Sequence, residues 1–189
     1  MKYTVIALSL TAIMSSNAFA AMDTYTIDPH HAFPEFEVSH LGFTTQRGRF
    51  DDTSGKIKLD RVNKLGGVDL TINTMSLDMG FPLWNEHLSA EGFFNTAKYP
   101  TMTYKSDKLE FDGDKVIGAD GDFTLLGVTK PLHVTVNNFH CGINPMMLKY
   151  LCAGDITAVI KRSDYGMIKY LPAIGDEVRI NVPIEAYKD

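Results

Sequence analysis

Histidine is the residue type best suited to chemistry in this chain of 189 residues, which contains six of them. The adjacent pair His30-His31, together with His40 and His87, could bind a metal ion if the fold brought them together. No H-E-x-x-H sequence accompanies them, and no carboxylate follows at the spacing of a zinc protease. His40 lies on the same side of a predicted strand as Phe36 and Val38, so we interpret it as a hydrogen-bonded interior histidine.

Motifs for nucleophilic catalysis are also missing from the sequence. There is no G-x-S-x-G turn, and Ser39 and His40 are neighbours that would point to opposite faces of a strand. The glycine pairs are not followed by a helix whose N-terminus could hold a phosphate. We therefore expect no catalytic residue, no bound metal ion and no cofactor.

The only two cysteines are Cys141 and Cys152. In an exported protein an even pair predicts a disulfide, and closing a loop of about a dozen residues would contribute about 3 kcal/mol in the chain-entropy model. A redox or metal pair is the alternative, but redox motifs bring the two cysteines within three residues of each other. We therefore expect a structural disulfide.

The elements that must position these residues are β-strands. The segment Val178–Glu185 alternates aliphatic with polar residues, and such a period of two gives a strand one apolar and one polar face. Similar runs recur between glycine-rich turns such as Asp112-Gly113-Asp114, which indicates a hairpin. The predicted strands are Thr24–Ile27, Pro34–Leu41, Gly48–Phe50 with Gly55–Asp60, Gly67–Leu77, Thr101–Phe111, Lys115–Leu126, Pro131–Phe139, Asp155–Lys161 and Val178–Ala186. This spacing favours a β-sandwich or a closed barrel.

One segment between Pro82 and Pro100 breaks the alternation. Residues Trp84–Phe94 lack a period of two and end in a pair of phenylalanines. They predict a short helix followed by an aromatic turn, which we expect to cover an open end of the sheet structure.

The first twenty residues have the pattern of a cleaved secretory signal peptide. Lys2 precedes the apolar run Val5–Met14, and Ala18-Phe19-Ala20 matches an A-x-A cleavage site. The apolar run is too short to span a bilayer, so we expect no stable membrane insertion. We expect residues 21–189 to form one exported domain located in the periplasm. The formal net charge of −5 and the lack of a Lys/Arg cluster argue against nucleic acid as a partner.

Several motifs follow one another along the chain, namely Tyr25–His31, Phe36–Gly42, Arg47–Phe50, His87-Leu88, Phe93-Phe94, Tyr99-Pro100, Gly121–Pro131, Lys161–Met167 and Gly175–Val178. Together they resemble the YceI-like proteins, a family of secreted, lipocalin-like barrels that bind polyisoprenoids. The resemblance covers essentially the whole chain after the signal peptide. Tyr25, His31 and Tyr165 stand where the family commonly has Trp, Ser and Phe, and the two cysteines are not part of the family pattern.

The resemblance implies an all-β fold, an eight-stranded antiparallel barrel with a short helix near one end. It also implies a non-catalytic carrier or store of a long isoprenoid lipid, such as an octaprenyl lipid or an isoprenoid quinone like ubiquinone. We expect the lipid to lie in an apolar tunnel lined by Phe36, Val38, His40, Phe50, Leu70, Ile72, Phe93, Phe94, Met102, Tyr104, Phe123, Leu125, Val134, Ile160, Tyr165 and Met167. A barrel of this size can instead be filled by its own side chains, and the pattern alone does not separate the two states.

The sequence leaves several alternatives open. A metal- or histidine-dependent enzyme of isoprenoid metabolism is the competing function. The apolar segment between the two cysteines is either a lid packed on the barrel end or an exposed lip that makes transient contact with a membrane. The sequence does not decide whether the barrel forms a homodimer.

Overall fold

The computed structural model describes residues 22–189, which form an antiparallel β-barrel. Its elements are β1 (Asp23–Ile27), β2 (Glu35–His40), β3 (Thr44–Phe50), β4 (Thr53–Asp60), β5 (Leu65–Asn73), β6 (Leu77–Asp78), α1 (Pro82–Ser89), β7 (Thr101–Asp112), β8 (Lys115–Leu125), β9 (Val128–Ile143), β10 (Tyr150–Lys161) and β11 (Ile174–Lys188). Short 3₁₀ turns lie at Thr74–Ser76 and Arg162–Tyr165. The predicted signal peptide lies outside the described residues.

Eight of these strands close into a ring. Their order is β1-β4-β5-β7-β8-β9-β10-β11, and β11 pairs back onto β1. The remaining strands form a flap on the same sheet, in which β2 pairs with β11, β3 with β2, and β6 with β3. The eight-stranded antiparallel barrel expected from the sequence is confirmed, and the flap widens one end of it.

β11 closes the barrel because it pairs with β2 along its first part and with β1 along its last part. Its ladder to β2 ends at Asn181, and its ladder to β1 begins at Ala186. Pro183 falls between these two ladders, opposite Asp155 of β10. A proline cannot donate a backbone hydrogen bond and is tolerated in a strand where no donor is needed. The change of partner therefore removes the penalty for a proline in the middle of a long strand.

The turns divide the barrel into two ends. The turns after β2, β8 and β10 and the segment containing α1 lie at one end, which we call the mouth end. The turns after β4, β7 and β9 lie at the other, which we call the hairpin end. Leu126 and Gly127 join β8 to β9 with positive φ angles of 53° and 74°, the backbone that a two-residue hairpin turn requires.

The disulfide between Cys141 and Cys152 is present, as predicted. The two residues are direct partners in the β9–β10 ladder, because both strands run further than the sequence indicated. β9 continues to Ile143 and β10 begins at Tyr150, so the expected long loop is a hairpin with a turn at 144–149. The side chain of Met146 in this turn is 91% exposed. The packed lid is therefore the wrong alternative, and the apolar hairpin tip points into solvent.

None of the helices described within residues 22–189 has the length and apolar character needed to cross a bilayer. The helix α1 begins with Pro82, whose fixed φ suits the first helical turn.

We expect the disulfide to stabilise the barrel by closing the hairpin, whose cysteines are 11 residues apart. Replacing both residues (C141A/C152A) should lower the free energy of unfolding by about 2–3 kcal/mol, the loop-closure contribution at this length. Urea unfolding measures the difference. A reducing agent should destabilise the wild type and leave the double variant unchanged, and equal stability of the two oxidised proteins would contradict the expectation.

Candidate functional site

The interior of the barrel holds two apolar cavities along its axis. The upper chamber, of about 360 Å³, lies at the mouth end and is enclosed by the flap, α1 and the ends of the ring strands. The lower chamber, of about 130 Å³, lies at the hairpin end. Ile72, Phe123 and Ile180 border both chambers. The upper chamber falls within the range of roughly 300–1,000 Å³ typical of small-molecule sites. The barrel is therefore hollow rather than filled.

Three phenylalanine rings form one wall of the upper chamber. Phe36, Phe50 and Phe94 lie with ring centroids 5.2 to 5.9 Å apart, and the Phe50–Phe94 pair is edge-to-face. The glycine in β3, Gly48, makes this packing fit, because a Cβ there would come within 2.6 Å of the Phe36 ring and 2.3 Å of the Met79 sulfur. Edge-to-face rings stabilise each other beyond their burial, so the Phe50–Phe94 pair contributes to holding this wall together.

The mouth of the upper chamber is made by α1 and the segment that leads into β11. Trp84 and His87 of α1 and Tyr170 line it. The His87 ring stacks on Tyr170 at 6.2 Å and packs on Phe93 at 4.9 Å. Asn85 fixes the start of the helix, since its side-chain oxygen accepts a hydrogen bond of 2.7 Å from the Met79 amide. The short helix and aromatic turn lie at one end of the barrel, as the sequence predicted.

A buried cation lies beside this mouth. Arg162 is 3% exposed and lines the upper chamber. Its guanidinium donates to four backbone carbonyls, those of Met167, Lys169, Ile174 and Gly175, at 2.8 to 3.0 Å. Burial lowers the pKa of this guanidinium, while the charge of nearby Asp176 opposes the shift. Arg162 thereby ties the connection between β10 and β11 to the barrel.

Asp176 itself is held by the same connection. Its carboxylate accepts hydrogen bonds from the backbone amide and the hydroxyl of Ser163, at 2.9 and 2.8 Å. These hydrogen bonds lower the pKa of Asp176. Ser163 and Asp176 lie in the two motifs Lys161–Met167 and Gly175–Val178, but their contact was not predictable, because they are 13 residues apart and meet only through the chain reversal.

The lower chamber is almost purely apolar, and Tyr104 is one of the two tyrosines that line it, with Tyr25. The phenol of Tyr104 is held by two backbone carbonyls. Its hydroxyl lies 3.0 Å from the carbonyl of Ala119 and 3.2 Å from that of Leu132. The ring packs directly over Gly121, where a Cβ would come within 2.8 Å of it. Burial raises the pKa of Tyr104 to about 12, with Asp120 and Asp122 adding to the shift. The phenol thus stays neutral in the chamber.

The structure brings together nearly all of the residues predicted to line a tunnel. Those at the upper chamber are Phe36, Val38, His40, Phe50, Ile72, Phe93, Phe94, Met102, Phe123, Leu125, Ile160 and Met167. Those at the lower chamber are Leu70, Tyr104 and Val134, together with the shared Ile72 and Phe123. Tyr165 borders neither chamber; it is buried and packs edge-to-face on Phe123 with centroids 5.6 Å apart.

Two details differ from the sequence interpretation. The ring of His40 faces the upper chamber, but it makes no hydrogen bond to another residue of the described range 22–189. The predicted set also omitted Ile180, Met79 and Tyr170, which line the upper chamber. Ile180 was detectable from the alternation of β11, whereas Met79 and Tyr170 lie in irregular segments without a period.

The histidines do not gather into one site. In the part of the chain that the structure describes, two groups have a metal-like arrangement, Asp28-His31-Glu185 and Glu110-Asp120-His133. Neither group lines a chamber. In the second, Asp120 is already bound by Lys108. In the first, a 2.8 Å hydrogen bond to Asp28 raises the pKa of the exposed His31. Both groups are surface ion pairs, remote from the apolar interior.

Comparison with known proteins gives one consistent result. The family model described as "YceI-like domain" matches residues 25–186. The chain is 34% identical over 189 residues to Protein YceI of Escherichia coli, covering 98% of this chain and 97% of that protein.

Two solved structures share the fold. BcnA of Burkholderia cenocepacia aligns with a TM-score of 0.69 at 23% identity, covering 84% of this chain and 98% of the other. A polyisoprenoid binding domain from Saccharophagus degradans, implicated in plant cell wall breakdown, aligns with a TM-score of 0.62 at 19% identity. That alignment covers 87% of this chain and 98% of the other. At these identities the likeness concerns the fold alone.

We expect Tyr104 to make folding sensitive to alkali. The unfolded chain releases the phenol proton near the ordinary pKa of 10, and the folded chain releases it only near 12. The stabilising contribution is therefore complete below pH 10 and disappears as the pH rises through about 12. The free energy of unfolding should therefore fall less between pH 10 and pH 12 in Tyr104→Phe than in the wild type. Urea unfolding at several pH values on either side of pH 10 measures this difference. Tyr170→Phe, at an exposed ring, is the control, and an identical pH profile for Tyr104→Phe and wild type would contradict the expectation.

Proposed function

This chain belongs to the YceI-like family, and we propose that it binds a long-chain isoprenoid lipid in its barrel and carries or stores it in the periplasm without catalysis. The observation that carries the proposal is the pair of chambers on the barrel axis, whose walls are predominantly apolar. The ligand named for the polyisoprenoid binding domain of similar fold supports the same class of lipid.

The physical basis is the transfer of an apolar chain out of water. At about 0.8 kcal/mol per buried CH₂, each five-carbon unit contributes about 3–4 kcal/mol gross. Ordering the flexible chain consumes part of this gain. An apolar cavity without polar partners does not hold water well, so little must be displaced when the lipid enters. The net affinity rises with each unit that finds room inside.

The charged and amide side chains that could meet a head group, Glu35 and Gln46 among them, line the upper chamber and not the lower one. His40, His87 and Arg162 all border the upper chamber and none borders the lower one. We infer that the lipid enters tail first and leaves its head, such as a quinone ring, at the mouth. The 11 residues of β8 span roughly 36 Å at about 3.3 Å per residue. An octaprenyl tail would therefore bend or protrude.

Entry from a membrane would occur most directly through the mouth end. Exposed apolar side chains surround the mouth, namely Leu41, Phe43, Phe81, Leu83, Trp84, Ile168 and Tyr170. We call this set the rim. Two contacts join its segments: the Leu41 amide donates to the Ala173 carbonyl at 2.8 Å, and Tyr170 stacks on His87 of α1. The apolar hairpin tip around Met146 lies at the opposite end of the barrel. We therefore assign transient membrane contact to the rim rather than to the tip.

The single tryptophan offers a direct binding test, since Trp84 lines the mouth of the upper chamber. A benzoquinone with an isoprenoid tail should quench Trp84 fluorescence in a saturable way, because the quinone ring would stop beside the indole. A prenol without a ring should compete with it. Extraction and mass analysis of lipid from protein purified from its own cells should yield an isoprenoid. A protein that carries no lipid and shows no saturable quenching would overturn the proposed function.

The rim and the tip can be separated by matched substitutions. The pair Phe43→Ser and Leu83→Ser should slow transfer of a fluorescent isoprenoid from anionic vesicles, because it removes apolar surface beside the mouth. The pair Met146→Ser and Met147→Ser removes similar exposed surface from the hairpin tip and should leave the rate unchanged. The rate of transfer in stopped flow is the measurement. If only the Met146→Ser and Met147→Ser pair slows the transfer, the membrane contact lies at the hairpin tip and not at the rim.

A further inference from the structure

We propose that Phe123 forms a waist that limits how much of an isoprenoid chain the barrel accepts, and so selects chain length. The inference rests on the proposed function and concerns which member of that lipid class is preferred. Its basis is the division of the interior: Phe123, Ile72 and Ile180 are the three side chains that border both the upper and the lower chamber.

The three waist residues approach the axis from different sides. Ile72 belongs to β5, Phe123 to β8 and Ile180 to β11. In the closed ring β1-β4-β5-β7-β8-β9-β10-β11 these strands are separated by steps of two, three and three positions. The three side chains therefore reach the axis from three sides, and because each of them borders both chambers they lie between the two. The constriction is therefore a collar around the path of the chain, with Phe123 as its largest member.

The Phe123 ring is held in place rather than free to swing aside. It is 6% exposed, and its partner across the strand pair is Tyr104. Tyr165 packs edge-to-face on it with an interplanar angle of 74°. Tyr165 is in turn fixed by the 3₁₀ turn that Arg162 ties to the barrel. This gives Tyr165, which touches neither chamber, a role as a positioning residue for the waist.

Such a waist predicts a characteristic dependence of affinity on length. Each added isoprenoid unit strengthens binding while the upper chamber fills. Units beyond that must either stay outside in water or displace Phe123, so affinity reaches a plateau. The lower chamber, about 130 Å³ of nearly apolar space, remains unused by the wild type until the ring moves.

The test is a series of prenols of two to eight isoprenoid units, each titrated as a competitor against the quenching of Trp84 by a benzoquinone with an isoprenoid tail. Phe123→Ala should join the chambers and move the plateau to longer chains. The first prenol beyond the wild-type plateau should gain at least about tenfold in affinity, the discrimination that one methylene gives in an apolar site. Ile180→Ala opens the waist from the opposite wall and should shift the plateau in the same direction.

Phe94→Ala is the matched control, because Phe94 lines the upper chamber without touching the lower one. It removes the same ring from the upper chamber alone, so it should move the plateau by no more than the volume of one ring allows, and by less than Phe123→Ala, which also opens the lower chamber. Circular dichroism establishes that each variant is folded. If the wild type binds prenols and both waist variants reach their plateau at the same chain length as the wild type, the waist is overturned and the proposed function stands. No binding of any prenol to the wild type would overturn both.

Discussion

An eight-stranded barrel is just wide enough that the size of its inward side chains decides whether it has a core or a cavity. In this chain the inward positions are apolar, but their distribution leaves space on both sides of Phe123. The flap of β2, β3 and β6 widens one end of the ring, which is why the upper chamber is the larger. Everything proposed about the protein depends on this unfilled interior.

The mouth combines apolar walls with one buried charge, Arg162, which holds the segment that forms part of those walls. The Arg162 guanidinium donates hydrogen bonds to backbone carbonyls of the segment between β10 and β11. Burying this charge therefore costs less free energy than burying an unpaired charge. The same hydrogen bonds hold the turn carrying Tyr165 against Phe123. A single buried side chain thus links the shape of the mouth to the constriction at the middle of the barrel.

The alternation of apolar and polar residues predicted most of the strands, because a barrel with a dry interior imposes a period of two on each of them. It was wrong to continue one strand from Gly67 to Leu77, which a 3₁₀ turn at Thr74–Ser76 interrupts, and it missed the start of β3 at Thr44. Most lining residues followed from that parity. The change of partner at Pro183, the extension of β9 past Cys141 and the waist at Phe123 could not be predicted. Each depends on the register between strands distant in sequence, which the pattern of one strand does not specify. Tyr165 was misplaced for the same reason: its motif was recognised, but its packing partner was not.

The hollow interior is tested most directly by a crystal structure of the delipidated protein under xenon pressure, because xenon enters apolar cavities that stay empty of water. We predict xenon density in the upper chamber and in the lower chamber, separated by the ring of Phe123. Ordered water filling the upper chamber, or side chains from opposite walls meeting along the whole axis without room for xenon, would contradict the account.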